Sequence, residues 1–277
     1  MMADAELYFI TAALYLLLAA RVWVAQRADV GHSETHVVKG GLSRLLVLGA
    51  LIVHAAVLHR ALFSEANLDL SLGHSLSLIA WVTVAMYWIV SFRYRMGVLQ
   101  PLVLVLAAGM VLSPLVLPAD KQVPYSGLLA FKVHFVVSLM AYGLFAIAAL
   151  HAILMGVMEQ RLHSHDKRLS RLGELPSLVA MDSLLFQMIL VGFLLLTATL
   201  ASGVFFSEAL FGKPLPFNHK VVFSFISWLI YAGLLAGRQL WGVRGRRTAR
   251  WTLAGFAMLL VGYVGSKFVL EIILHRG

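Results

Sequence analysis

Three side chains able to do chemistry recur at a fixed interval in one apolar stretch. His134, Ser138 and Tyr142 fall at i, i+4 and i+8 between Gly127 and Leu150, a segment otherwise made almost entirely of aliphatic and aromatic residues. On a helix that spacing sets all three on one face. An imidazole, a hydroxyl and a phenol in line can hold a ligand, pass a proton or bond a neighbouring helix. Lipid offers such groups no partner, so one must come from the protein or from a ligand. Other polar groups also interrupt apolar runs: His54, Lys132, His151, the Asn218-His219-Lys220 run, Lys267 and Glu271. Ionisable groups at membrane depth are costly and mark functional sites by default. Lys220, Ser224, Ser227 and Tyr231 form a second stripe. Lys267 and Glu271 form an i, i+4 pair, for which mutual neutralisation is the plain explanation.

Spacing restricts the combinations. His134 and His151 stand ~25 Å apart along one helix at 1.5 Å per residue, so they cannot share a metal. His54 and His59 face different ways. One large cofactor would therefore take its ligands from different helices. Imidazole is a common axial ligand of haem iron. Lys132, Lys220, Lys267 and Arg60, near the ends of their apolar runs, could meet haem propionates. The same residues could instead line a proton or ion path, and the histidines could simply bond neighbouring helices. The cluster of His163, His165, Asp166, Lys167 and Arg168 reads as a solvated basic turn rather than a metal site.

The elements that must position these residues are membrane spans. The chain has 277 residues, 61% of them hydrophobic, with a mean hydropathy of +0.88. Charged residues make up 13%, against about 25% in soluble domains, which excludes a soluble fold. Apolar runs near the ~20 residues a bilayer requires recur at about 7–25, 45–63, 73–92, 98–117, 128–156, 178–204, 220–237 and 251–273. They predict an all-α, polytopic membrane helix bundle of about eight transmembrane helices in a single domain, 1–277. The acidic N-terminus lacks the basic start of a cleaved signal peptide, so the first run is expected to be a retained span. The net charge of +9 sits mainly in short loops, where it sets topology rather than binding nucleic acid. Odd-numbered loops are basic and even-numbered loops are not. The positive-inside bias then predicts that both termini lie outside and that His134 lies near the outer end of span five. The segment 175–184 is amphipathic and is expected to lie on the inner surface before span six. The absence of cysteine excludes disulfides, thiolate metal sites and thiol catalysis.

Three blocks resemble the CcsA/CcmC/HemX superfamily of cytochrome c assembly and haem-handling membrane proteins. The first, Val133 to Gly143, looks like that superfamily's helix with His, Ser and Tyr at four-residue intervals. The second runs from Leu175-Pro176 through Met181-Asp182-Ser183-Leu184 to Leu194 and Gly203. The third runs from Ser227-Trp228 through Trp241-Gly242-Val243-Arg244 to Gly255 and Tyr263-Val264-Gly265. The resemblance is strongest over 127–277, and the whole chain is most similar to the small eight-span, YpjD-like branch. It implies that His134 matches a haem ligand near the outer surface and that His54 matches a histidine typical of span two. It implies haem b as cofactor, for which Lys132 and Lys220 are the candidate propionate partners.

Two departures stand out. The tryptophan-rich outer loop expected before span seven is replaced by Phe211-Gly212-Lys213-Pro214-Leu215-Pro216-Phe217-Asn218-His219-Lys220. The second outer histidine after span eight has no match in register. His219, placed where the tryptophan signature ends, is a candidate substitute ligand. The expectation is a haem-binding or haem-handling protein of a bacterial-type inner (plasma) membrane that catalyses no reaction of its own. Its expected partners are the lipid bilayer, haem and cytochrome c assembly or other membrane proteins. A haem-free accessory or scaffold protein of the same fold is the alternative, and a small-solute or ion transporter is the third reading.

Overall fold

The computed structural model describes residues 2–28, 36–62, 68–94, 98–117, 122–123, 128–163, 177–211 and 218–273. The long apolar runs fold as helices because a helix satisfies its own backbone polar groups without water. These are α1 (Met2–Ala28), α2 (His36–Leu62), α3 (Leu72–Val90), α4 (Leu99–Val111), α5 (Ser113–Val116), α6 (Leu129–His163), α7 (Leu178–Phe211), α8 (His219–Trp241) and α9 (Arg246–Leu260). The helix of α9 continues to Ile273 through two π-helical turns, Val261–Gly265 and Val269–Ile273. A two-residue antiparallel ladder pairs β1 (Leu68–Asp69) with β2 (Gln122–Val123) and leaves the all-α class unchanged.

Among the described residues eight helical segments are long and apolar enough to cross a membrane, and each overlaps one of the eight expected spans. The fourth is α4 and α5 together, Leu99–Val116, with a break at Leu112 ahead of Pro114. The chain is a multi-pass membrane protein. One end of the bundle collects the end of α2, the starts of α3, α6 and α8, and the end of the last span. The opposite end collects the α6–α7 and α8–α9 connections.

One expectation about the α7 region is corrected. The residues from Met181 to Leu184 do not lie on a surface ahead of the span, because α7 already runs unbroken from Leu178. Asp182 is buried there rather than solvated. Its Oδ2 accepts from Arg238 on α8 at 2.5 Å, and its Oδ1 accepts from the Gly245 backbone N–H at 3.0 Å. One carboxylate thus joins α7, the last turn of α8 and the first turn of α9, where a negative charge suits the helix N-terminus. The α8–α9 turn is made by Gly242 and Gly245, at φ +62° and +64°, a left-handed region that favours glycine. Residues 175 and 176 lie outside the described residues.

The core is continuous along α1, α4, α3, α6 and α7. Phe145 on α6 stacks on Tyr231 of α8 with ring centroids 4.0 Å apart. Tyr231 in turn lies flat against Gly255 of α9, where a Cβ would fall 2.7 Å from its Cζ. Gly255→Ala should therefore overpack this seam and cost about 1–3 kcal/mol. Gly233 of α8 has open space around it, so Gly233→Ala should be neutral or stabilising by up to ~1 kcal/mol through helix propensity. Thermal unfolding of the two purified variants in detergent checks this: the first should melt below the parent protein and the second should not.

Candidate functional site

The stripe on α6 does not face a single partner. His134 turns to α7, where Nδ1 lies 2.8 Å from Ser202 Oγ. Ser138 Oγ donates back to the Phe135 carbonyl of its own helix at 2.8 Å. Tyr142 Oη donates to the Leu259 carbonyl of α9 at 2.6 Å. Eight residues advance a helix by slightly more than two turns, and that drift carries Tyr142 round to a different neighbour. His134 is half-buried, and its Nε2 has no hydrogen-bond partner among the described residues.

His54 has the opposite setting. It is fully buried on α2, with Nδ1 3.0 Å from Tyr15 Oη on α1 and Nε2 2.9 Å from Ser77 Oγ on α3. The Tyr15 ring also meets it edge-on, at a centroid distance of 5.6 Å. Both ring nitrogens are engaged within the protein, so coordination of a metal would require release of one bond. His54 and His134 share no bonding partner: one joins α1 to α3, the other reaches α7.

The remaining candidates divide. Lys132 and His134 are two residues apart on α6, so they point to opposite sides of the helix, and Lys132 is exposed. His219 is exposed at the first turn of α8, next to Asn218, whose side chain caps the helix by accepting from Val221 N–H at 3.1 Å. Lys220 turns inward, with Nζ 5.7 Å from the centre of the Tyr263 ring. Lys267 approaches the same ring at 5.2 Å. Two ammonium groups therefore approach one aromatic ring, and each contact is favoured by its quadrupole. Arg60 is exposed at the end of α2.

Lys267 and Glu271 are not a self-contained pair. The last span is π-helical on both sides of Lys267, and the wider turn takes i and i+4 out of register. Both side chains instead cross to the start of α3. Lys267 Nζ donates to the Leu70 carbonyl and, at 2.7 Å, to Ser75 Oγ. Glu271 Oε2 accepts from the Leu72 backbone N–H at 2.6 Å. Its Oε1 is buried with no hydrogen-bond partner among the described residues. Tyr263 Oη donates to Ser75 Oγ at 3.2 Å, and Ser71 Oγ lies 3.1 Å from Nδ1 of buried His74. Sequence reasoning passed over Ser71 and Ser75 and took His74 for an ordinary interfacial residue. The available signal was a Ser-x-x-His-Ser run opening an apolar helix, which places three polar groups at a helix N-terminus.

His151 donates from Nε2 to the Met181 carbonyl at 3.0 Å and so ties α6 to α7. The stripe on α8 closes against α9: Ser227 Oγ donates to Gly255 O at 2.9 Å and Tyr231 Oη to Thr252 O at 3.2 Å. The side chains of His163, His165 and Asp166 lie outside the described residues. Among the described residues no three of His, Asp and Glu converge as a metal-ion site. A cavity of about 150 Å³ between α3, α4 and α9 is lined by apolar contacts from Leu76, Ile79, Met110, Phe256 and Leu260, and none of the candidate residues reaches it.

Tyr15→Phe should leave His54 Nδ1 without its partner in a dry core and cost about 1–3 kcal/mol. Combining it with His54→Leu should cost less than the sum of the two single changes, since no orphaned imidazole then remains. Chemical or thermal unfolding of the four forms measures this coupling; strict additivity would contradict it.

The cytochrome c assembly protein family matches residues 42–274. Inner membrane protein YpjD of Escherichia coli K12 is 29% identical over 239 residues, covering 84% of this chain and 89% of that protein. Cytochrome c biogenesis protein CcsA of Prochlorococcus marinus MIT 9515 is 40% identical over 89 residues, which is 32% of this chain and 28% of that protein. Its counterpart in strain AS9601 is 41% identical over 89 residues, 32% and 29% of the two chains. The match runs from α2 to the end of the last span, and this chain belongs to the cytochrome c assembly protein family.

Proposed function

We propose that the protein binds or passes haem b between its helices near the outer face, as part of cytochrome c assembly in a bacterial-type inner membrane. The observation that carries this reading is the state of His134. It is a half-buried imidazole with one nitrogen held by Ser202 and the other without a partner among the described residues. That donor set fits a haem: metal-bound histidines characteristically have their second nitrogen hydrogen-bonded. When bound, haem supplies an iron whose axial position accepts a neutral imidazole nitrogen. His134 would provide that nitrogen, and α7 would hold its ring. Lys220 would offer a cation to a propionate, whereas Lys132 points to the opposite side of α6 from His134. His219 is the candidate for a second ligand, at the exposed start of α8. His54 serves the core in this reading, because both its nitrogens already bridge α1 and α3. The positive-inside bias puts the His134 end outside, together with both termini.

A specific observation favours the alternative of a haem-free accessory or scaffold protein. Lys267, the most deeply placed cation at this end, is already engaged by Leu70 and Ser75. The tryptophan-rich loop of the superfamily is also absent from this sequence. The two readings separate by absorption spectroscopy of the detergent-purified protein, as isolated and after dithionite. The haem reading expects a Soret band near one haem per chain and sharp bands on reduction. His134→Ala should lose most of that haem, and added imidazole should restore part of it. His54→Gln, in whatever fraction folds, should keep it. No Soret band, even after haem is supplied during expression, would select the scaffold reading.

A further inference from the structure

The contact between His134 and α7 contains more information than its distance. Nδ1 of His134 lies 2.8 Å from Ser202 Oγ, and Ser202 Oγ lies 3.0 Å from the Thr199 carbonyl oxygen. A serine hydroxyl has one hydrogen to give and lone pairs to receive. Two assignments are possible. If Ser202 gives its hydrogen to Nδ1, two oxygens face each other at 3.0 Å with no hydrogen between them. If Ser202 gives it to the Thr199 carbonyl, Nδ1 must donate to Ser202, and each contact then holds a hydrogen. Tautomers follow from the network around the ring, and the second assignment satisfies this one. A neutral imidazole protonated on Nδ1 carries its lone pair on Nε2, the nitrogen with no partner among the described residues. The next residue completes the seat: a Cβ at Gly203 would come 3.5 Å from His134 Cε1, so the ring edge lies directly over this position.

We infer that Ser202 is a positioning residue that fixes His134 as the Nδ1–H tautomer and presents the Nε2 lone pair to an electron-pair acceptor. That the acceptor is haem iron rests on the function proposed above; the tautomer does not. Ser202 reaches no ligand itself and acts through the ring. Hydrogen-bond partners of this kind set ring orientation and ligand strength, and their loss typically costs 10–100-fold in metal affinity.

The test uses the full-length protein, expressed without haem and labelled with ¹⁵N in the histidine rings. Ring nitrogen shifts report the tautomer directly, and the His134 signals are those missing from His134→Gln. Nδ1 should carry the hydrogen and Nε2 should show the shift of an unprotonated nitrogen. Ser202→Ala should shift the population toward Nε2–H, whereas Ser202→Thr keeps a hydroxyl in place and should retain the parent pattern. Haem titration should then show affinity about ten-fold or more lower in Ser202→Ala and near-parental in Ser202→Thr. A parent protein with the hydrogen on Nε2 of His134, or a Ser202→Ala variant with an unchanged tautomer, would overturn the inference even if haem binds. A parent protein with the hydrogen on Nδ1 that takes up no haem would support the positioning role of Ser202 and overturn the haem reading alone.

Discussion

Lipid neither gives nor accepts hydrogen bonds, and that constraint determines what each polar side chain in this bundle does. A polar group within a span bonds its own helix, bonds another helix or waits for a ligand. His54, His151, Ser227, Tyr231 and Tyr142 all bond another helix. Each acts as a directional tie where apolar packing alone would permit sliding. Against this background an imidazole with one nitrogen tied and one left over is informative. Among the described residues His134 and His151 share that pattern, but His151 is buried whereas His134 is half-buried near the expected outer end of its span, and its setting differs from that of His54 in the middle of span two.

The two ends of the bundle follow the same constraint, each with buried charged side chains. At one end Asp182 draws Arg238 and the Gly245 amide together and so fixes the α8–α9 turn to α7. Arg246 pairs with Glu159 at 3.2 Å nearby and adds a tie to α6. At the other end Lys267 and Glu271 take hold of the first turn of α3, one through a carbonyl and one through an amide. The last span thus anchors to α3, far away in sequence. The start of α3 is also pressed against α5: a Cβ at Gly73 would fall 2.8 Å from Pro114 Cα, and Ser113 Oγ donates to the Gly73 carbonyl at 2.8 Å. The end of the bundle that carries His134 is therefore built on a fixed polar frame, with Lys220 and Lys267 both near the ring of Tyr263.

Helix number and span limits were legible in the sequence because hydropathy is a property of long windows and averages over local detail. The family was legible because its motifs sit on helices that pack against one another, from Met181-Asp182 to Tyr263. The partners of single polar residues were not. Lys267 and Glu271 looked like a self-contained pair because an ideal α-helix aligns i with i+4, and nothing local announces a π-helical turn. The α6 stripe looked like one wall because helical spacing specifies a face but not which neighbours lie along it. The difference between His54 and His134 was equally hidden: it resides in Tyr15, Ser77 and Ser202, each far from its histidine in sequence. Asp182 was quoted within a motif, yet its role as a clamp required the α8–α9 turn to be folded back beside it.

The central claim is that the protein takes haem on His134 while His54 stays in the core. A cryo-EM structure of the haem-loaded protein in a lipid nanodisc tests it most directly. The account predicts iron bonded to Nε2 of His134, with Nδ1 still on Ser202 and His54 still bridging Tyr15 and Ser77. Iron bonded to His54, or a haem seated away from His134 altogether, would contradict it.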